Sequence, residues 1–174
     1  MLRLRLLAIL ALILLAALAR LIPHPPNFTP IGAMALFGGA TLADRRLAFL
    51  LPLASLFLSD LFLGLHVLIP VVYGSFALNV LLGGWLRSRR TVLNTAAVTL
   101  LGSVQFFVVT NFACWLLWYP HTWQGLVTCY IAAIPFFQNT LAGDAVFATA
   151  LFGTLALAER CFPVLREQPT LRTA

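Results

Sequence analysis

The placement of positive charge constrains this chain more than any other feature. All eleven basic residues are arginines, and ten lie at the two ends or in two short connectors. They are Arg3 and Arg5, Arg45 and Arg46, Arg87, Arg89 and Arg90, then Arg160, Arg166 and Arg172. The connectors between them carry no Lys or Arg but hold all three histidines, His24, His66 and His121. Basic loops alternating with uncharged ones are the positive-inside pattern of a polytopic membrane protein. The pattern places both termini and the arginine connectors in the cytoplasm.

Composition points the same way. The chain is 61% hydrophobic and 9% charged, with a mean hydropathy of +0.98, whereas about 25% charge is usual in a soluble domain. Its 174 residues suffice for one helical bundle over residues 1–160 and a short cytoplasmic tail over 161–174. A net charge of +6 and a pI near 10.3 would suggest nucleic acid as the partner of a soluble protein. Here the arginines act as topological anchors that meet anionic lipid headgroups, so the partner is membrane lipid and not nucleic acid. The three cysteines show no CxxC spacing and give no zinc or redox motif.

Apolar runs predict an all-α fold of six membrane crossings. The first spans roughly residues 4–22, long enough to cross. Its basic start and the Ala17-Leu18-Ala19 triplet also fit a cleavable signal peptide. The run continues past Arg20 without a polar stretch, which favours a retained helix. Residues 23–30 hold four prolines and read as a rigid extracytoplasmic loop, with Thr29 and Pro30 as an N-cap and N1 pair. A short segment, residues 31–42, follows, with Gly32, Ala35 and Gly39 on one stripe. Such a stripe lets membrane helices approach closely, within the bundle or against a partner subunit. Helices over 47–63, 67–86 and 92–117 come next. Residues 119–138, with Trp118, Tyr119, Trp123 and Tyr130 forming an interfacial belt, read as a separate short helix lying in or dipping into the outer leaflet. The sixth crossing runs over 140–158.

Ionisable groups within membrane segments are costly and mark candidate sites. Asp60 falls near the outer end of the third helix and Asp144 about one turn below the outer start of the sixth. Arg20, the arginine outside the cytoplasmic set, can pair with either. Asn111 lies in the outer third of the fifth helix, Asn79 and Gln105 nearer the middle, and Gln138 and Asn139 at the start of the sixth. The polar set is biased toward the extracytoplasmic half, as a pocket open to the outside or as a network tying the loops together. The histidines with Asp60 admit a metal reading, although none has ligand-pair spacing. Cys114 and Cys129 fit buried thiols, a disulfide or a soft-metal site. Motifs for metalloprotease, serine-hydrolase or phosphate-loop chemistry are absent. No enzyme activity and no cofactor are expected.

The block from Pro23 to Ala33, running on to Ala40, resembles an uncharacterised family of small bacterial membrane proteins. Leu58-Ser59-Asp60-Leu61-Phe62, Thr110-Asn111-Phe112, the segment from Cys129 to Phe137 and that from Asn139 to Asp144 are similar to other blocks of that family. The family in turn resembles the S-components of energy-coupling factor vitamin transporters, six-helix subunits with a loop-gated pocket open to the outside. The resemblance implies uptake of a vitamin-class micronutrient across the bacterial cytoplasmic membrane. It also implies a coupling protein and its ATPases as partners. The small residues of the first helix, Ala8, Ala11, Ala16 and Ala19, depart from the Ala-x-x-x-Ala docking pattern of S-components. That leaves room for a solitary cobalamin-type uptake protein, in which Cys114 or Cys129 would ligate cobalt.

On this reading Asp60, Asp144, Asn111, Asn139 and Gln138 supply polar contacts to the substrate. Tyr73, Trp115, Trp123 and Tyr130 form apolar walls, and Asn27 and Phe28 act as a lid. Asp144→Ala is expected to weaken binding with little loss of fold. The alternatives are a structural or assembly subunit, or metal-ion uptake through the three histidines and Asp60.

Overall fold

The computed structural model describes residues 2–166, so Arg172 and most of the expected tail lie outside the described residues. The fold is all-α: α1 Leu2–Ala19, α2 Ile31–Thr41, α3 Arg45–Leu63, α4 Ile69–Leu86, α5 Val92–Trp118 and α6 Trp123–Cys161. A 3-10 turn at Pro163–Leu165 ends the described chain. Among the described residues three helices, α4, α5 and α6, are long and apolar enough to cross a membrane, and Leu4–Ala19 and α2 are shorter apolar helices. By length and hydropathy the chain is a multi-pass integral membrane protein. Its outer surface agrees: Leu7, Leu14, Leu15 and Leu18 on α1 and Val92 and Leu93 on α5 are largely exposed, as lipid-facing side chains are.

The organising element is the shortest helix. All eleven residues of α2 are buried, and α2 packs against each of the other five helices. Its small residues make this possible. A Cβ at Gly39 would strike the Val80 carbonyl of α4, and one at Gly83 would strike the Leu36 carbonyl of α2. The two glycines thus let α2 and α4 meet backbone to backbone. The glycine stripe read from the sequence is taken up by contacts inside the bundle. At about 16 Å for eleven residues, α2 is too short to span a hydrocarbon core of about 30 Å. It ends inside the protein, where its terminal peptide groups need partners.

Those partners are charged side chains from other helices. At the C-terminal end Arg5 Nη1 donates to the Thr41 carbonyl at 3.2 Å, and Arg87 Nη1 donates to the Leu42 carbonyl at 3.1 Å. At the N-terminal end the carboxylate of Asp144, from α6, accepts from the Ala33 backbone N–H. Cations at the negative pole and an anion at the positive pole complement the helix dipole. This corrects the expected Thr29 cap: Pro30 occupies the N-cap position with no side-chain bond, and the capping oxygen comes from α6.

Helix α1 belongs to the core through Ile9, Ile13 and Ala16. It also supplies Arg5, which pairs with Glu159 at 3.3 Å, while the turn after it supplies Arg20. A second correction concerns α6. The expected separate interfacial helix does not exist; residues 123–161 form one helix of 39 residues, about 58 Å long. Thr122 caps its start, accepting from the Gly125 N–H at 3.1 Å. The helix passes through Pro135, whose missing N–H breaks a single backbone bond. Residues 138–140 do not interrupt it: Thr140 Oγ1 donates back to the Phe136 carbonyl at 3.1 Å.

Candidate functional site

Continuity of α6 moves Asp144 inward. It lies about six turns after the helix start rather than one, and Ser103, near the middle of α5, donates to its Oδ2 at 2.6 Å. Asp144 is 5% exposed. Gly32 lets α2 dock there, because a Cβ at that position would collide with the carboxylate. No basic side chain lies within ion-pair distance of Asp144 among the described residues. Its charge is offset by the Ser103 hydroxyl, the Ala33 N–H and the positive end of α2.

Above this carboxylate is a cavity of about 310 Å³, in the half of the bundle next to the histidine-bearing connectors. Asp144, Asn79, Gly32 and Thr140 form its deep end. Its walls are phenyl rings from α4, α5 and α6: Phe76, Phe106, Phe107, Phe136 and Phe137. Phe76 stacks on Phe106 with centroids 5.0 Å apart, and Phe107 on Phe137 at 4.4 Å. Arg20, Asp60, Asn27, His66, Asn111 and Cys114 surround the shallow end.

The shallow end is braced by an ion pair. Arg20 Nη2 donates to Asp60 Oδ1 at 2.7 Å, and Tyr73 Oη donates to Asp60 Oδ2 at 2.9 Å. Arg20 Nη1 donates to the Leu56 carbonyl at 3.2 Å and to Ser59 Oγ. One pair therefore joins the end of α1 to α3 and, through Tyr73, to α4. Of the two acids the sequence offered to Arg20, the structure selects Asp60. The proline loop closes beside it: Asn27 adopts a left-handed φ of 64°, a conformation asparagine tolerates better than most residues. Midway along the bundle, Gln105 Nε2 bridges the Ser75 carbonyl at 2.9 Å and Asn79 Oδ1 at 3.1 Å. Asn79 in turn lies against Gly102.

Of the residues expected from the sequence to bind substrate or cobalt, Asn27, Asp60, Asn111, Cys114 and Asp144 line this cavity. The others lie elsewhere. Phe28 packs its ring on Phe147, 5.8 Å between centroids, and Tyr73 supports Asp60 from behind. Trp115 Nε1 donates to the Pro120 carbonyl at 2.9 Å, Tyr130 Oη to that of Val108 at 2.7 Å, and Asn139 Nδ2 to that of Pro26 at 2.9 Å. These three hold loops and helices together. Trp123 and Gln138 are exposed. Cys129 is buried with its Sγ directed at the Asn111 carbonyl, and both it and Cys114 are free thiols.

The phenyl walls escaped sequence reasoning, although a signal was present. Phe106-Phe107 and Phe136-Phe137 are doubled phenylalanines on consecutive helices, and each pair lines the cavity. The convergence that metal uptake requires is not found: no group of three or more His, Cys, Asp or Glu gathers among the described residues. A second, more open cavity of about 620 Å³ runs between α5 and α6 from Ser103 to Arg90, lined by small residues and threonines. The Ser103–Asp144 hydrogen bond lies between the two cavities.

No curated protein and no solved structure matches the chain. A family model does, over residues 1–165, and the chain therefore belongs to DUF6580, a family of unknown function.

Proposed function

We propose that the chain is the substrate-binding membrane subunit of a micronutrient uptake system in the bacterial cytoplasmic membrane. In this reading the arginine-bearing ends and connectors face the cytoplasm and the cavity opens to the outside. The cavity carries the proposal: about 310 Å³ of space, walled by aromatic rings and ending on a carboxylate near mid-helix. Apolar walls with a few placed polar groups are what small-ligand recognition needs. The arginine connectors support the orientation.

The volume is at the lower end of the range of about 300–1,000 Å³ for ligand sites. It suits a compact vitamin-class molecule better than a corrin, although Cys114, a free thiol, lines the cavity. The resemblance of the family to S-components is what supports coupling to a membrane partner and its ATPases. The α5–α6 groove beyond Ser103 supports a release route toward the cytoplasmic side.

A second reading, a structural or assembly subunit, is favoured by one observation. The Arg20–Asp60–Tyr73 cluster is satisfied internally and ties three segments together without a ligand. Native mass spectrometry of the detergent-purified chain, before and after incubation with a vitamin panel, separates the readings. The uptake reading expects a stoichiometric small-molecule adduct; a bare mass throughout supports the structural subunit.

A further inference from the structure

We infer that the ligand of this cavity is a compact organic cation with a flat apolar body, held between the Asp144 carboxylate and the facing phenyl rings of α5 and α6. The inference rests on the uptake reading and names its substrate class.

The charges lining the cavity decide the sign. Apart from the His66 imidazole, the ionisable groups of opposite sign there are Arg20, Asp60 and Asp144. Arg20 is committed, with Nη2 on Asp60 and Nη1 on the Leu56 carbonyl and Ser59. Asp60 is committed as well, one oxygen to Arg20 and the other to Tyr73. Their charges cancel. An anionic ligand would have to take Arg20 from Asp60, stranding a carboxylate whose side chain is 5% exposed.

Asp144 is different. A carboxylate has about four acceptor sites. The hydrogen bonds found for Asp144 come from the Ser103 hydroxyl and the Ala33 N–H. The end of α2 contributes roughly half a positive charge. An ionised Asp144 thus places negative charge with no cationic partner at one end of an aromatic-walled cavity, where an unpaired anion is costly. A ligand that brings a positive charge relieves that cost; a neutral ligand leaves it, and an anion doubles it.

The walls agree. The faces of aromatic rings carry negative potential and attract cations, more so when desolvated. Both stacked pairs, Phe76 with Phe106 and Phe107 with Phe137, border the cavity. A ring-sized apolar body fills the remaining volume. A bare metal ion is a poor occupant, since no group of three ligating side chains gathers there among the described residues.

The test is isothermal titration calorimetry on the full chain in detergent at neutral pH. The probes are benzyltrimethylammonium, benzyl alcohol and benzoate, which share a ring and differ in charge. The cation is expected to bind at least about tenfold tighter than the alcohol, with no measurable binding of benzoate. Asp144→Asn should lower cation affinity by about tenfold or more and leave the alcohol within about twofold. Asparagine keeps an acceptor for Ser103, and the comparison on the native chain decides the sign even if the variant fails to fold. Benzoate binding as tightly as the cation would overturn the charge assignment while leaving the cavity a ligand site. Failure of all three probes would count against the uptake reading itself.

Discussion

Replacing Arg20 by methionine should destabilise the bundle more than replacing both members of its ion pair. In the native chain Asp60 Oδ1 lies 2.7 Å from Arg20 Nη2, and the two side chains are 5% and 14% exposed. Removing the arginine leaves a buried carboxylate with Tyr73 as its hydrogen-bond partner. Breaking a buried pair from one side costs about 3–5 kcal/mol. The partial exposure of Arg20 puts the value near the lower bound, at about 3 kcal/mol. Asp60→Asn keeps a side chain that can accept a hydrogen bond and should cost about 2 kcal/mol. In the double variant no charge is stranded, and the loss should be about 2 kcal/mol. The single losses sum to about 5 kcal/mol, so the coupling energy is about 3 kcal/mol. Reversible unfolding by SDS in mixed micelles, followed by tryptophan fluorescence, measures all four corners of the cycle. Additive single losses, or a methionine variant costing under about 1 kcal/mol, would refute the role given to this pair.

Gly39→Leu should lower the unfolding midpoint by an equivalent of about 1–3 kcal/mol, since the added side chain meets α4 backbone rather than a movable side chain. Gly74→Ala, where an added Cβ meets nothing within 4 Å, should be neutral or slightly stabilising; equal losses at both sites would contradict the backbone contact. Asp144→Ala should lower benzyltrimethylammonium affinity at least about tenfold by calorimetry and also cost about 1–2 kcal/mol of stability as the cap of α2 is lost. Unchanged affinity in a folded Asp144→Ala protein would remove that residue from the site.

Much of this fold was legible because charge and hydropathy act over whole segments. The arginine connectors separate the helices, and α3, α4 and α5 start or end within two residues of their expected bounds. The break before residue 140 was misplaced because a fall in hydropathy was read as an interruption. Gln138 and Asn139 are polar for local reasons, the latter to reach the Pro26 carbonyl, and nothing in that stretch prevents helix. The error carried into the depth of Asp144. Its role as the cap of α2 was invisible, since the two are more than a hundred residues apart and local rules pointed to Thr29. The aromatic walls were sought among Trp and Tyr, whose polar atoms instead bind loop and helix carbonyls. Phenylalanine, which has no such atoms, is free to face the cavity.

The central claim is that the cavity opens to the outside of the membrane, and side-specific thiol labelling tests it most directly. Cys114 lines the shallow end of the cavity, Cys129 is buried, and Cys161 is exposed at the opposite end of α6. In right-side-out vesicles a membrane-impermeant maleimide should label Cys114, and should reach Cys161 only after permeabilisation. Labelling of Cys161 in intact vesicles, with Cys114 protected until they are opened, would invert the topology and contradict the account.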